Sequence, residues 1–141
     1  MKTLQIPESH RDLIEGRFYA ALTTLMPDGH PQTTPVWCNR DGDNILINTM
    51  QGFRKEKNMR LNPKVTLLVY DPANPSHCVE IRGQIVDMTE EGAVQHLDRL
   101  TQLYMDKPDA RFFGDSVSAE LEVNFRPVKV TIQPTRVRTE G

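Results

Sequence analysis

Cysteine is scarce: Cys38 and Cys78 are the only two in 141 residues. They lie too far apart for a CxxC metal pair and are too few for a disulfide framework, so two reduced, partly buried thiols are predicted. Histidine is equally thin. His10, His30, His77 and His96 are scattered without the HxxxH or HxxE spacing that puts ligands on one helical face, and no bound metal is expected. Neither GxSxG nor GxxxxGK[ST] occurs, which removes the nucleophile elbow and the P-loop from consideration. No apolar run approaches the length needed to cross a bilayer. The opening MKTLQIPESHRDLIEG lacks the apolar core and small-residue cleavage site of a signal peptide, so a cytoplasmic protein without membrane association is expected. Repeats, low-complexity stretches and linkers are missing too, and residues 1–141 read as one domain with a sizeable core.

What the chain does contain is a succession of short β-patterned runs. Pro7 to Glu15 reads as a short helix stopped at Gly16. RFYAALTTL (17–25) is a strand, MPDG (26–29) a β-turn, and HPQTTPVWC (30–38) the returning strand. Pro31 and Pro35 lack donors, which places that strand at a sheet edge. NRDGD is a turn, and NILINT (44–49), KVTLLVY (64–70) and SHCVEIRGQIVDM (76–88) are further strands, with DPANP (71–75) as a loop and Gly83 as a bulge. Thr89 is placed to N-cap a helix running to about Met105, whose Ala93, Leu97, Leu100 and Tyr104 share an apolar face. A short helix around 111–114 and a last strand, VKVTIQP (128–134), follow, with RVRTEG fraying. About six strands joined mostly by hairpins point to a mainly β (α+β) fold, an antiparallel barrel with peripheral helices.

Charge is unevenly spread. Between Arg54 and Lys64, five basic side chains (Arg54, Lys55, Lys57, Arg60, Lys64) face a single acid, Glu56, a local charge of +4 in a chain of −2, leaving −6 elsewhere. Nucleic-acid binding calls for a broad basic patch with interleaved aromatics, and Phe53 is the only aromatic in the segment, so no nucleic-acid partner is expected. A localised anion fits better. Gly52 turns the chain into a helix from Phe53 to Leu61, whose first backbone N–H groups have no helical partner. Arg54 and Lys55 sit there despite the positive end of the helix dipole, as if an anion compensates them. A solvated helix is the plain alternative. Asn62 before Pro63 ends the helix.

The hairpin LTTLMPDGHPQTTPVW, then NTMQGFRKEKNMRLNP, VTLLVYDPANP and VEIRG resemble, in order and spacing, the flavin-binding split-barrel family related to pyridoxamine 5′-phosphate oxidase. The resemblance covers roughly 17–136 and is nearest to the small members that use FMN or the deazaflavin coenzyme F420. It implies a six-stranded split barrel and a homodimer with cofactors between the subunits. It further implies that Arg54 and Lys55 hold the cofactor phosphate, with Lys57 and Asn58 in support. Gln32, Thr34, Pro35, Val36 and Trp37 would border the ring system, and Asn48, Thr49 and Met50 would complete that wall. Val36, Trp37 and Met50 suit a core or dimer interface equally well, and Thr34 and Thr49 suit plain strands.

Two departures from the oxidase stand out. The chain stops soon after VKVTIQPTRVR, without the oxidase's C-terminal extension, and Cys78 or a neighbour replaces an expected glutamine in SHCVEIRG. A vitamin B6 oxidase is not expected. The implied activity is hydride transfer from a reduced flavin-type cofactor to a small conjugated or heteroaromatic substrate; catalytic side chains are not identified, because the cofactor carries that chemistry. NTMQGFRKEKNMRLNP followed by DPANP and VEIRG resembles the F420-using branch most closely, whereas the Arg54–Lys55 pair resembles FMN-binding members; coenzyme F420 is expected slightly ahead of FMN. Tyr70, Tyr104 and the Phe112–Phe113 pair are candidate walls or lid, or core. The alternative is a non-catalytic carrier of the cofactor or of a haem-related ligand on the same fold.

Overall fold

The computed structural model describes residues 4–141. Its frame is one antiparallel sheet of seven strands: β1 (Ala20–Leu25), β2 (Pro31–Val36), β3 (Cys38–Asp41), β4 (Asn44–Met50), β5 (Lys64–Asp71), β6 (Asn74–Thr89) and β7 (Pro127–Glu140). Their spatial order is β2-β1-β5-β6-β7-β4-β3, so β2 and β3 are the two edge strands of the curled sheet, a split barrel. Three helices accompany it: α1 (Asp12–Glu15), α2 (Arg54–Leu61) and α3 (Ala93–Met105). No described helix is long and apolar enough to cross a membrane.

The seventh strand comes from splitting the run 30–38. β2 pairs with β1 up to Val36, opposite Ala20. After Trp37 the chain changes partner, and Cys38 lies opposite Ile47 of β4. The expected turn NRDGD thus shrinks to its Gly42 end. Pro31 and Pro35 do lie on an edge strand, where a missing donor disrupts no second ladder.

Other boundaries differ for identifiable reasons. DPANP is a tight hairpin turn with Asp71 opposite Asn74, and Asp71 Oδ1 accepts from the Ala73 N–H at 2.9 Å. RVRTEG does not fray: β7 continues to Glu140, paired with Cys78. Gly83 marks a register shift between β6 and β7, as expected, and a Cβ there would lie 2.5 Å from Ile132 Cγ2. Thr89 does not cap α3; its Oγ1 accepts from Glu91 N–H at 3.1 Å within the preceding turn, and Gly92, at φ 71°, occupies the cap. The first strand begins at Ala20, leaving Arg17, Phe18 and Tyr19 outside it, and Arg17 pairs with Asp106 at 2.7 Å. The first predicted helix divides into a 3-10 turn (Glu8–His10) and α1, and the last short one is a wide turn, Phe112–Ser116, broken at Gly114.

Alternation along the strands puts Leu22, Leu67, Val69, Val79, Ile81, Val130 and Ile132 into the barrel, closed below by Leu13, Ile14 and Met59. β4 is buried on both faces. Ile45, Ile47 and Thr49 face the barrel, while Met50 joins Leu97 of α3 and Phe113 in a second apolar cluster. Asn48, on the same face of β4 as Met50, lines one cleft with Met50 and Leu97 of that cluster.

Candidate functional site

Where β2 ends, β4 ends and α2 begins, the chain leaves a cleft of about 280 Å³. Pro35, Val36 and Trp37 form one side, Asn48 and Met50 the floor, Phe53 and Lys55 the α2 end, and Leu97, Leu100 and Phe112 the far wall. Trp37 stacks on Tyr104, ring centres 5.1 Å apart and 17° from parallel, and meets Phe112 edge-on at 6.2 Å. The Tyr104 hydroxyl donates to Phe18 O at 2.8 Å and accepts from Cys38 N–H at 3.0 Å, so it pins the break between β2 and β3. Burial pushes the Cys38 thiol up to about 11, only partly offset by its contact with Tyr104, which leaves it protonated and unreactive at neutral pH.

The turn into α2 is built by Gly52 (φ 90°) and Glu56. Glu56 Oε1 accepts from Gly52 N–H at 2.9 Å, and its other oxygen pairs with Arg60. Burial pushes the Glu56 carboxyl up, but these bonds and the charges of Arg60 and Lys57 outweigh it, and the net shift is down. Arg60 is thereby neutralised, leaving Arg54, Lys55 and Lys57 as the uncompensated charges of the helix start. No side chain caps α2, so the amides of Arg54, Lys55 and Glu56 have no partner among the described residues. Lys55 is half-buried in the cleft wall, has no ion pair among the described residues, and burial lowers its pKa.

The twelve residues singled out from sequence separate into three groups. Pro35, Val36, Trp37, Asn48, Met50 and Lys55 meet in the cleft. Gln32, Arg54 and Asn58 form a network behind it: buried Asn58 donates from Nδ2 to Thr24 Oγ1 (3.0 Å) and Gln32 Oε1 (3.3 Å), and accepts from Arg54 Nε at 3.1 Å. The remaining three are dispersed. Lys57 is exposed, Thr49 is buried on the barrel side, and Thr34 lines an adjoining groove with Tyr70 that shares Tyr19 and Pro35 with the cleft. The Oγ1 atoms of Thr34 and Thr49 and Oδ1 of Asn48 are buried without a partner among the described residues.

Sequence reasoning passed over Tyr19, Phe53, Leu97, Leu100 and His96. His96 lies on the buried face of α3 beside Leu97, and a histidine inside that apolar stripe was the available signal. Its ring bonds Asn48 at 3.1 Å and Asn39 at 2.9 Å. Among the described residues no three His, Cys, Asp or Glu side chains converge as metal ligands would.

A largely apolar, aromatic-walled cleft, with a lysine that has no ion pair and helix-start amides that have no partner among the described residues, suits a flat ring carrying an anionic tail. The sequence pattern of the pyridoxamine 5′-phosphate oxidase family matches residues 6–139. The chain belongs to that family. No curated protein matches the sequence. Among solved structures, an F420 reductase is 28% identical with a TM-score of 0.78, the match covering 94% of this chain and 98% of that one. A conserved hypothetical protein from Mycobacterium tuberculosis is 21% identical, TM-score 0.70, over 98% of this chain and 86% of the other. General Stress Protein 26 from Bacillus anthracis shares the fold at 15% identity, TM-score 0.66, over 94% and 92%.

Proposed function

We propose that this family member is an oxidoreductase that holds a flavin-type cofactor in the cleft and passes hydride to a small conjugated or heteroaromatic substrate. The observation that carries the reading is Lys55: a half-buried cation with no ion pair among the described residues, at an uncapped helix start, in a largely apolar cleft. Leaving such a charge unpaired is costly, and a bound phosphate or comparable anion removes the cost. Similarity to an F420 reductase over nearly all of both chains supports coenzyme F420 ahead of FMN.

The orphaned Asn48 Oδ1, the Trp37 and Phe112 rings and the cationic end of α2 together fit such a group. Arg54 and Lys55, with the amides of the first turn, would hold its phosphate; Lys57 adds long-range attraction. Pro35, Val36, Trp37 and Met50 would border its ring and exclude water. When bound, the cofactor supplies the hydride chemistry. We extend the proposal to a homodimer, supported by the exposed Leu68 and Tyr70 on the outer face of β5 next to exposed Tyr19.

Titration of the purified protein with F420 and with FMN, followed by absorbance and fluorescence, tests the reading, together with single-turnover oxidation of the bound reduced cofactor by an acceptor. Saturable binding of one cofactor and redox cycling are expected. Binding of neither at up to ~1 mM, where association is worth about 4 kcal/mol, would reject the site. Reversible binding with no redox cycling would replace the enzyme by a carrier.

A further inference from the structure

The Asn48 amide can adopt only one orientation. Its Nδ2 donates to Ala93 O at 3.0 Å, and a carbonyl oxygen cannot donate in return. The second Nδ2 hydrogen goes to His96 Nδ1 at 3.1 Å, which must therefore accept. The ring proton then resides on Nε2, where it meets Asn39 Oδ1 at 2.9 Å. All three contacts agree on a neutral ring with one tautomer. His96 is 3% exposed, and burial, followed by Lys129 of β7 and Arg99 of α3, holds its pKa down at about 4. Turning the Asn48 amide over would set Oδ1 against both Ala93 O and the His96 Nδ1 lone pair, two acceptor–acceptor contacts at once. Both Asn48 donors are thus spent inside the protein, and Oδ1, buried and without a partner among the described residues, is left over on a residue that lines the cleft, where a donor reaches it once the side chains covering it move aside.

We propose that Asn39 and His96 act as a positioning pair that locks Asn48 as an obligate hydrogen-bond acceptor, so that the cleft selects a ring bearing an N–H donor at the edge presented to Asn48. The inference rests on the proposed flavin-type ligand and deepens it. Isoalloxazine and deazaisoalloxazine rings both carry an imide N–H at N3, and a methyl group there removes the donor and adds bulk. A ligand offering only acceptors at that edge meets an unsatisfied buried oxygen. His96 touches no ligand; it works through Asn48.

The test compares whichever of FMN and F420 binds with its N3-methyl counterpart by fluorescence titration, alongside thermal melts. Wild type is expected to bind the methylated ring about 10- to 100-fold more weakly. Asn48→Ala should bring that ratio near one. His96→Gln should preserve it, since the glutamine carbonyl can accept from Asn48 and its amide can donate to Asn39. His96→Leu should reduce it by freeing the Asn48 amide. If the leucine variant does not fold, Asn39→Ala applies the same test from the other end of the relay. Nitrogen-15 chemical shifts of His96 at pH 6 should show a protonated Nε2 and a bare Nδ1. Equal wild-type affinity for parent and methylated rings, undiminished discrimination in folded His96→Leu or Asn39→Ala, or a protonated Nδ1 would each overturn the positioning role while leaving the cofactor reading intact. Wild type that binds no flavin-type ring would overturn both.

Discussion

Replacing Asn58 by alanine probes how the cationic helix is held to the barrel. Asn58 is fully buried, and its Nδ2 reaches Thr24 Oγ1 at 3.0 Å and Gln32 Oε1 at 3.3 Å, with Met26 Sδ at 3.4 Å. Alanine removes both donors. Thr24 Oγ1 already donates to Gln32 Oε1 at 3.5 Å, so that bond survives without replacing either of the lost ones. Two lost hydrogen bonds at about 1 kcal/mol each, plus the void left by the amide, give a loss of about 2–4 kcal/mol. The Arg54 contact adds little because that arginine is exposed. Urea unfolding at pH 7 should show the midpoint falling with an unchanged m-value. Gln32→Ala cuts the same network from β2, so a double-mutant cycle should return a coupling of about 1 kcal/mol. A loss below about 0.5 kcal/mol, or strict additivity with Gln32→Ala, would refute the view that this network anchors α2.

Three further outcomes are expected. Arg54→Ala should weaken cofactor binding by about 1.5–3 kcal/mol in calorimetry, and Lys55→Met by at least as much, because Lys55 is the cation within the cleft. Gly83→Ala should lower stability by about 1–3 kcal/mol in a thermal melt, since its Cβ would sit 2.5 Å from Ile132 Cγ2 and 3.1 Å from Gln133 O. The His96 contribution to stability should be complete above pH 6.5 and be lost toward pH 4, because the unfolded His96 takes up a proton that the folded ring refuses. A folded value of about 4 against 6.5 corresponds to about 3 kcal/mol lost by pH 4, and denaturation curves should be flatter with pH in His96→Gln.

Much of the fold is legible in the chain because its signals are local. The turn at MPDG, the edge prolines, the bulge at Gly83 and the helix stop at Asn62–Pro63 each follow from one or two residues' backbone preferences. The split after Val36 is not local: it depends on Tyr104, 66 residues on, bonding the Cys38 backbone. The same distinction separates the site residues. Lys55 and Asn48 are visible in the charge pattern and the family resemblance, whereas His96 shows no role until α3 packs against β4.

By itself the sequence determined the strand alternation, the glycine-led turn and the excess of positive charge at the start of α2, since these rest on neighbouring residues and elementary charge. Only the tertiary structure decided which charges remain available. Arg60 is consumed by Glu56, Arg54 is oriented by the neutral Asn58 amide and keeps its charge, and Lys55 has no ion pair among the described residues in a largely apolar cleft. Desolvation and hydrogen-bond partners belong to the folded surroundings of a side chain, and no reading of neighbours along the chain supplies them.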